Sequence, residues 1–173
     1  MAYVEWKKNV LDPIQGKEKK LTGALLAYIE RARTNEMIDK TLAQKVIDSL
    51  VLLAVEDEDP EKIDLAVYSE HFEIQFMNAT KVHIETELRA EGSEESVTLE
   101  KVGKVIDTQK LLVAPYLPSI SPKDFVRRCV EELITEEAQG SDPFWTEGRI
   151  KILECYIQGP LIDTSSATIC GYK

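Results

Sequence analysis

Apolar residues recur at steps of three and four along most of this chain, the spacing that gathers them on one face of an α-helix. Leu21, Leu25 and Ile29 form one such row, and Val102 and Ile106 belong to another. No stretch shows the alternation of apolar and polar residues, bounded by tight turns, that is typical of paired β-strands. The pattern therefore predicts an all-α protein, a multi-helix bundle of about six to seven helices.

The residues that favour helix starts and stops indicate where the helices begin and end. Asp39 and Ser121 are predicted N-caps because their side chains can accept a hydrogen bond from the first helical turn, and Pro122 suits that turn. Pro13 is expected to break or kink the first helix at the residue before it. The acidic run at residues 56–60 ends in proline and is predicted to be a loop. The predicted helices cover residues 2–11, 17–35, 39–54, 67–90, 97–113, a segment from 122 and a last segment that includes 150–157.

The length of 173 residues fits a single domain that can bury a sizeable core without disulfides or a metal. Three parts are predicted within it: a helical bundle over residues 1–138, an additional C-terminal helix over residues 139–158 and a flexible tail over residues 159–173. The tail is small and polar, and it begins with a Gly-Pro pair that ends helices.

Acidic residues outnumber basic ones by 31 to 21, which gives a net charge of −10. A nucleic-acid-binding module needs a basic surface to displace counterions from phosphates, and an anionic membrane repels a chain of this charge. The longest apolar run, residues 50–55, is too short to cross a bilayer, and the charged N-terminus does not resemble a signal peptide. We therefore expect no nucleic-acid partner and no membrane partner, and a location in the cytoplasm, the nucleus or both.

The residue types that carry catalysis or bind metals do not form a known arrangement. His71 and His83 lie twelve residues apart on one predicted helix, about 120° around its axis, so they cannot share a metal ion. The acidic run near residue 57 lacks the glycine and the final glutamate of a calcium loop. Cys129 falls on an apolar row, where a reactive thiolate is disfavoured. We expect no catalytic residues, no metal, no cofactor and no small-molecule substrate, and therefore no enzyme.

Aromatic residues at helical spacing are predicted to be core residues. Trp6, Tyr68, Phe72 and Phe76 belong to this group. A second aromatic feature, the adjacent pair Phe144-Trp145, precedes the last predicted helix. If this pair is exposed, it is a candidate partner-binding site, since exposed aromatic patches commonly mark interfaces. The alternative is ordinary packing of the last helix.

The order and spacing of these segments resemble an internal repeat of the cullin family. The resemblance covers residues 3 to 134, and no match is found from Gln139 onward. The strongest block is similar to the cullin pattern of Tyr, then Phe-Glu, then Phe, Thr and Glu. In this sequence the matching residues are Tyr68, Phe72-Glu73, Phe76, Thr80 and Glu87.

Cullin repeats are helical bundles that stack into a rigid stalk, and in the family this stalk joins a substrate adaptor to a RING protein. The resemblance implies a non-catalytic protein-interaction scaffold linked to ubiquitin-ligase assembly, with ligase subunits as partners. The sequence contains neither the adaptor-binding first repeat nor the RING-binding domain with its modified lysine, so we carry over no site residue of the family. The alternative is a stand-alone cullin-domain regulatory module that binds another partner, such as a cell-cycle kinase, without ligase activity.

Overall fold

The computed structural model describes residues 5–16, 19–34, 36–52, 65–91, 97–118 and 120–158. These residues form seven helices and no strand, which confirms the all-α prediction. The predicted loop at 56–60 and the predicted tail at 159–173 lie outside the described residues. The helices are α1 (a π-helical turn, Lys7–Leu11, continued by Asp12–Gln15), α2 (Lys20–Arg33), α3 (Lys40–Leu52), α4 (Ala66–Tyr68, the π-helical turn Ser69–Glu73 and Ile74–Glu91), α5 (Leu99–Val113, followed by the 3-10 turn Ala114–Tyr116), α6 (Pro122–Ala138) and α7 (Glu147–Gln158).

Both predicted N-caps are confirmed. Asp39 Oδ1 accepts a hydrogen bond from the backbone N–H of Thr41 at 3.0 Å. Ser121 Oγ accepts one from the backbone N–H of Asp124 at 3.1 Å, and Pro122 occupies the first turn of α6. Each cap satisfies a donor that the helix itself leaves without a partner, so these short sequence signals fix where α3 and α6 begin.

Of the break or kink predicted at the residue before Pro13, the break does not occur. α1 continues through this residue, because the π-helical turn before it widens the backbone and the N–H of Asp12 bonds to Lys7 O. The helix ends only at Gly16, which has a φ of 46° that favours glycine. The turn also changes which residues face inward. Leu11 is buried, whereas Trp6 is 42% exposed, so the prediction that Trp6 is a core residue is also wrong.

The buried face of α3 differs from the predicted one by one position. The sequence pattern places Leu42 on the inner row, but its side chain is 53% exposed. Leu50 of the predicted row is buried, and Ala43 and Ile47 are buried in place of the predicted Leu42 and Val46. A helix with apolar residues on more than half of its circumference has two possible inner faces, and packing against its neighbours selects one of them.

Helices α2 and α4 run in the same direction. Thr22 Oγ1 near the start of α2 donates to His71 O near the start of α4. At the other end of α2, Arg33 Nη2 donates to Thr80 Oγ1 at 2.8 Å.

Helices α4 and α6 also run in the same direction. The rings of Phe76 and Phe125 stack with 5.2 Å between centroids. Further along both helices, Lys81 Nζ contacts Glu136 Oε1 at 2.6 Å. Helices α2, α4 and α6 therefore form a row of three parallel helices, with α4 in the middle. Along the chain, α3 connects α2 to α4, and α5 connects α4 to α6.

The core is organised around an aromatic column on α4. Tyr68, Phe72 and Phe76 are completely buried, as predicted. The Phe72 and Phe76 rings stack at 5.0 Å, and Tyr116 meets Phe76 edge-on at 6.0 Å. Such ring contacts stabilise the fold by a small amount beyond the stabilisation that comes from burying the rings. The column joins α4 to α6 and to the turn that follows α5.

The buried row continues along α4 in steps of four, through Thr80, Ile84 and Leu88. His83, which the pattern places on the inner face, is only half-buried. Four residues rotate about 40° past one full turn, so a row with this step winds around the helix. The inner face therefore turns as different neighbours pack against successive parts of α4.

Candidate protein-interaction surface

The aromatic pair before α7 is packed into the molecule. Trp145 is 7% exposed and belongs to the same buried core as the α4 column. Its ring meets that of Phe144 edge-on, with 4.9 Å between centroids. Its indole N–H has no acceptor within the part of the chain that the structure describes. Trp145 is therefore packed as in the alternative reading of this pair, while a role of Phe144 and Trp145 in binding a partner stays a prediction.

Phe144 is half-buried because two arginines cover its ring. The guanidinium carbons of Arg89 and Arg149 each lie 4.3 Å from the ring centroid. Arg149 Nη1 also donates to Phe144 O at 2.6 Å. These contacts join the segment before α7 to α4, on which Arg89 lies.

Asp142 completes this junction. Its carboxylate accepts the backbone N–H of Phe144 at 2.9 Å and pairs with Arg89. The hydrogen bond from Phe144, followed by the one from Arg89, lowers the pKa of Asp142 below its ordinary value. Arg89 also bonds to Glu85 Oε1 at 2.6 Å. The junction is thus held by charge-assisted hydrogen bonds as well as by ring contacts.

Helix α7 packs closely on α5 at a glycine. A Cβ atom at Gly103 would lie 3.4 Å from Tyr156 Cε2, so the missing side chain lets the two helices approach. Tyr156 donates its hydroxyl to Asp107 Oδ1 at 3.0 Å. A hydrogen bond from Lys110 lowers the pKa of Asp107 and keeps it ionised as the acceptor. The predicted additional helix is therefore an ordered part of the bundle.

A buried arginine, which the sequence pattern did not single out, links α2 to α4. The side chain of Arg33 is 2% exposed, and its guanidinium lies 5.6 Å from the Phe76 ring centroid. It donates to Glu30 Oε2 at 3.1 Å and to Thr80. His83 Nδ1 lies 3.5 Å from the other oxygen of Glu30. Burial, and then the charge of Arg33, lower the pKa of His83. From the sequence, Arg33 is indistinguishable from a cation at an exposed helix C-terminus.

The other groups considered for chemistry have structural partners. Gln15 Nε2 lies 3.3 Å from His71 Nδ1 and donates to Thr22 Oγ1 at 2.5 Å, which ties α1 to α2 and α4. Cys129 is buried, and this burial raises the pKa of its thiol to about 12. Within the described ranges, no group of three histidine, cysteine or acidic side chains could hold a metal ion. None of the helices in those ranges is long and apolar enough to cross a bilayer.

Comparison with known proteins gives a family for this fold. The model of the Cullin alpha solenoid domain matches residues 1–143, which contain α1 to α6 and end just before Phe144. Cullin-1 of Caenorhabditis elegans is 36% identical over 87 residues, which are 47% of this chain and 11% of that protein. Cullin-1 of Dictyostelium discoideum is 28% identical over 141 residues, which are 80% of this chain and 18% of that protein. The chain therefore spans less than a fifth of the length of these relatives. No solved structure matches.

Proposed function

This chain belongs to the cullin family, and on that basis we propose that it acts as a non-catalytic helical scaffold in the assembly of a ubiquitin ligase. The observation that carries this proposal is the family match over residues 1–143, which include six of the seven described helices. The cullin domain is a scaffold fold, and a scaffold acts by holding its partners at fixed positions.

The packing of the bundle supports such a role. Arg33 ties α2 to α4, the stacked rings of Phe76 and Phe125 tie α4 to α6, and Tyr156 ties α7 to α5. Three pairs of helices in the described bundle are thus joined by buried or hydrogen-bonded contacts. A densely packed interior of this kind deforms little, so it can hold bound partners at fixed positions.

The partners we propose are proteins of the ligase machinery, in the cytoplasm or the nucleus. Phe144 and Trp145 remain candidate partner contacts, and Phe144 is the more accessible of these two residues. The acidic surface favours partners with basic surfaces, because complementary charge speeds encounter and suppresses wrong partners.

We expect affinity capture of the tagged chain from cytosolic extract, at a physiological ionic strength of about 0.15 M, to retain ubiquitin-ligase subunits. The retained proteins are identified by mass spectrometry. An unrelated helical domain of matched size and net charge is the control, since a charge of −10 retains basic proteins without specificity. Recovery of a cell-cycle kinase without any ligase subunit would contradict the ligase role and favour a separate regulatory module.

A further inference from the structure

Helix α1 is attached to the bundle by few buried side chains. Of its residues from Lys7 to Gln15, only Leu11 and Gln15 are buried. Leu11 supplies an apolar contact, so the polar contacts of Gln15 are one of the two main attachments of this helix. Segments with so few buried contacts open more easily than the rest of a fold.

The side-chain amide of Gln15 has one possible orientation. The backbone N–H of Thr22 donates to Gln15 Oε1 at 3.1 Å, and a backbone N–H can only donate. The NH2 group of the amide therefore lies on the other side, where Gln15 Nε2 donates to Thr22 Oγ1 at 2.5 Å. The Thr22 hydroxyl donates its one hydrogen to His71 O, so its oxygen is available as the acceptor.

This orientation determines the protonation state of His71. Gln15 Nε2 lies 3.3 Å from His71 Nδ1, and both hydrogens of an amide NH2 group are donors. His71 Nδ1 must therefore be the acceptor, so the ring is neutral and carries its hydrogen on Nε2. The side chain of His71 thus links α4 to α1 only while Nδ1 is unprotonated.

Protonation of His71 breaks this contact. The imidazolium carries a hydrogen on both ring nitrogens, so the Nδ1–H group would point at the NH2 group of Gln15. Rotation of the amide gives no remedy, because its NH2 group would then meet the backbone N–H of Thr22. A buried donor without an acceptor costs free energy. The protonated ring therefore favours a conformation in which Gln15 has moved away.

No ion pair replaces the lost hydrogen bond. The helices packed against the start of α4 carry charges, and so does α4 itself. These charged residues are Asp12 near the contact on α1, Lys19 and Lys20 at the start of α2, Lys40, Lys45 and Asp48 on α3, and Glu70 and Glu73 beside His71 on α4. In the part of the chain that the structure describes, no carboxylate forms an ion pair with His71.

We propose that His71 is a proton-sensitive latch for α1. The neutral ring holds this helix against α2 and α4 through Gln15, and the protonated ring releases it. Release exposes the buried face of α1, which contains Leu11. The latch is a property of this contact and does not depend on the scaffold role.

Nuclear magnetic resonance of the isotope-labelled full chain tests the latch. At about pH 8, the ring of His71 should show the tautomer with its hydrogen on Nε2. The pH is then lowered to about 5.5, across the range in which histidine ordinarily changes its charge. Amide exchange in α1 should become about tenfold faster relative to α5, after correction for the intrinsic effect of pH. This change should follow the titration of the His71 ring.

Two variants at the contact separate protonation from packing. Q15E places a carboxylate opposite the ring, which can accept from the Thr22 N–H and from a protonated Nδ1. Its pH dependence should therefore have the opposite sign, with α1 held more tightly at the acidic end. H71N keeps an acceptor near the Nδ1 position but does not titrate, so α1 should stay protected throughout. H83N removes the other histidine and is the matched control, which should respond as the unmodified chain does.

Four outcomes would each overturn the latch. They are a hydrogen on Nδ1 of His71 at about pH 8, equal exchange in α1 at both ends of the range, an unchanged pH dependence in H71N, and an unchanged sign in Q15E. The first two are measured on the unmodified chain, so they decide the matter even if a variant does not fold. Capture of ligase subunits tests the scaffold role separately.

Discussion

Replacement of Phe76 by alanine is expected to lower the free energy of unfolding by about 3–5 kcal/mol. Phe76 is completely buried and occupies the centre of the aromatic column. Its ring stacks on Phe72 at 5.0 Å and on Phe125 at 5.2 Å, and it contacts Tyr116 edge-on. The truncation leaves a cavity where α4, α6 and the turn after α5 meet. The expected loss is a large share of the 5–15 kcal/mol that stabilises a typical domain, by general order of magnitude.

Urea denaturation followed by circular dichroism measures this loss. Val82→Ala is the matched control on the same helix, because Val82 is 62% exposed, and it should change the stability by no more than about 0.5 kcal/mol. If Phe76→Ala unfolds at the same urea concentration as the unmodified chain, the column does not hold these helices together.

Replacement of Trp145 by alanine is expected to cost about 3 kcal/mol or more. Trp145 is 7% exposed and belongs to the same core as Leu153 of α7, so its loss loosens the attachment of that helix. Phe144→Ala should cost less, about 1–2 kcal/mol, because the ring is half-buried and its removal costs mainly the contacts with Arg89 and Arg149.

The same denaturation experiment separates packing from partner binding at this pair. Trp145→Phe is the conservative control. It keeps an aromatic ring while removing an N–H that has no acceptor in the described structure, so it should be less destabilising than Trp145→Ala. A Trp145→Ala variant that is as stable as the unmodified chain but captures fewer partners would show that the indole serves an interface and not the core.

The features that were predictable from the sequence are those set by local chemistry or by strong periodicity. Ser121 and Asp39 mark helix starts because their caps involve residues within three positions. The buried row of Tyr68, Phe72 and Phe76 was predictable. Large aromatic side chains at steps of four share one face of the helix, and leaving that face exposed to water is unfavourable. These signals are sufficient for the fold class and for most helix boundaries.

The features that were not predictable depend on contacts between distant residues. The burial of Arg33 depends on Thr80, which lies 47 positions away. The environment of Phe144 depends on Arg89 of α4, which approaches only when α4 and α6 lie side by side.

Crosslinking mass spectrometry of the captured complex tests the central claim, a scaffold in direct contact with ligase subunits. Lys45, Lys104 and Lys123 are exposed and distributed over α3, α5 and α6, so they report on different sides of the bundle. The account predicts crosslinks from these lysines to a ubiquitin-ligase subunit, absent from the same capture with the matched acidic control. Crosslinks to a kinase or another unrelated protein alone would contradict it.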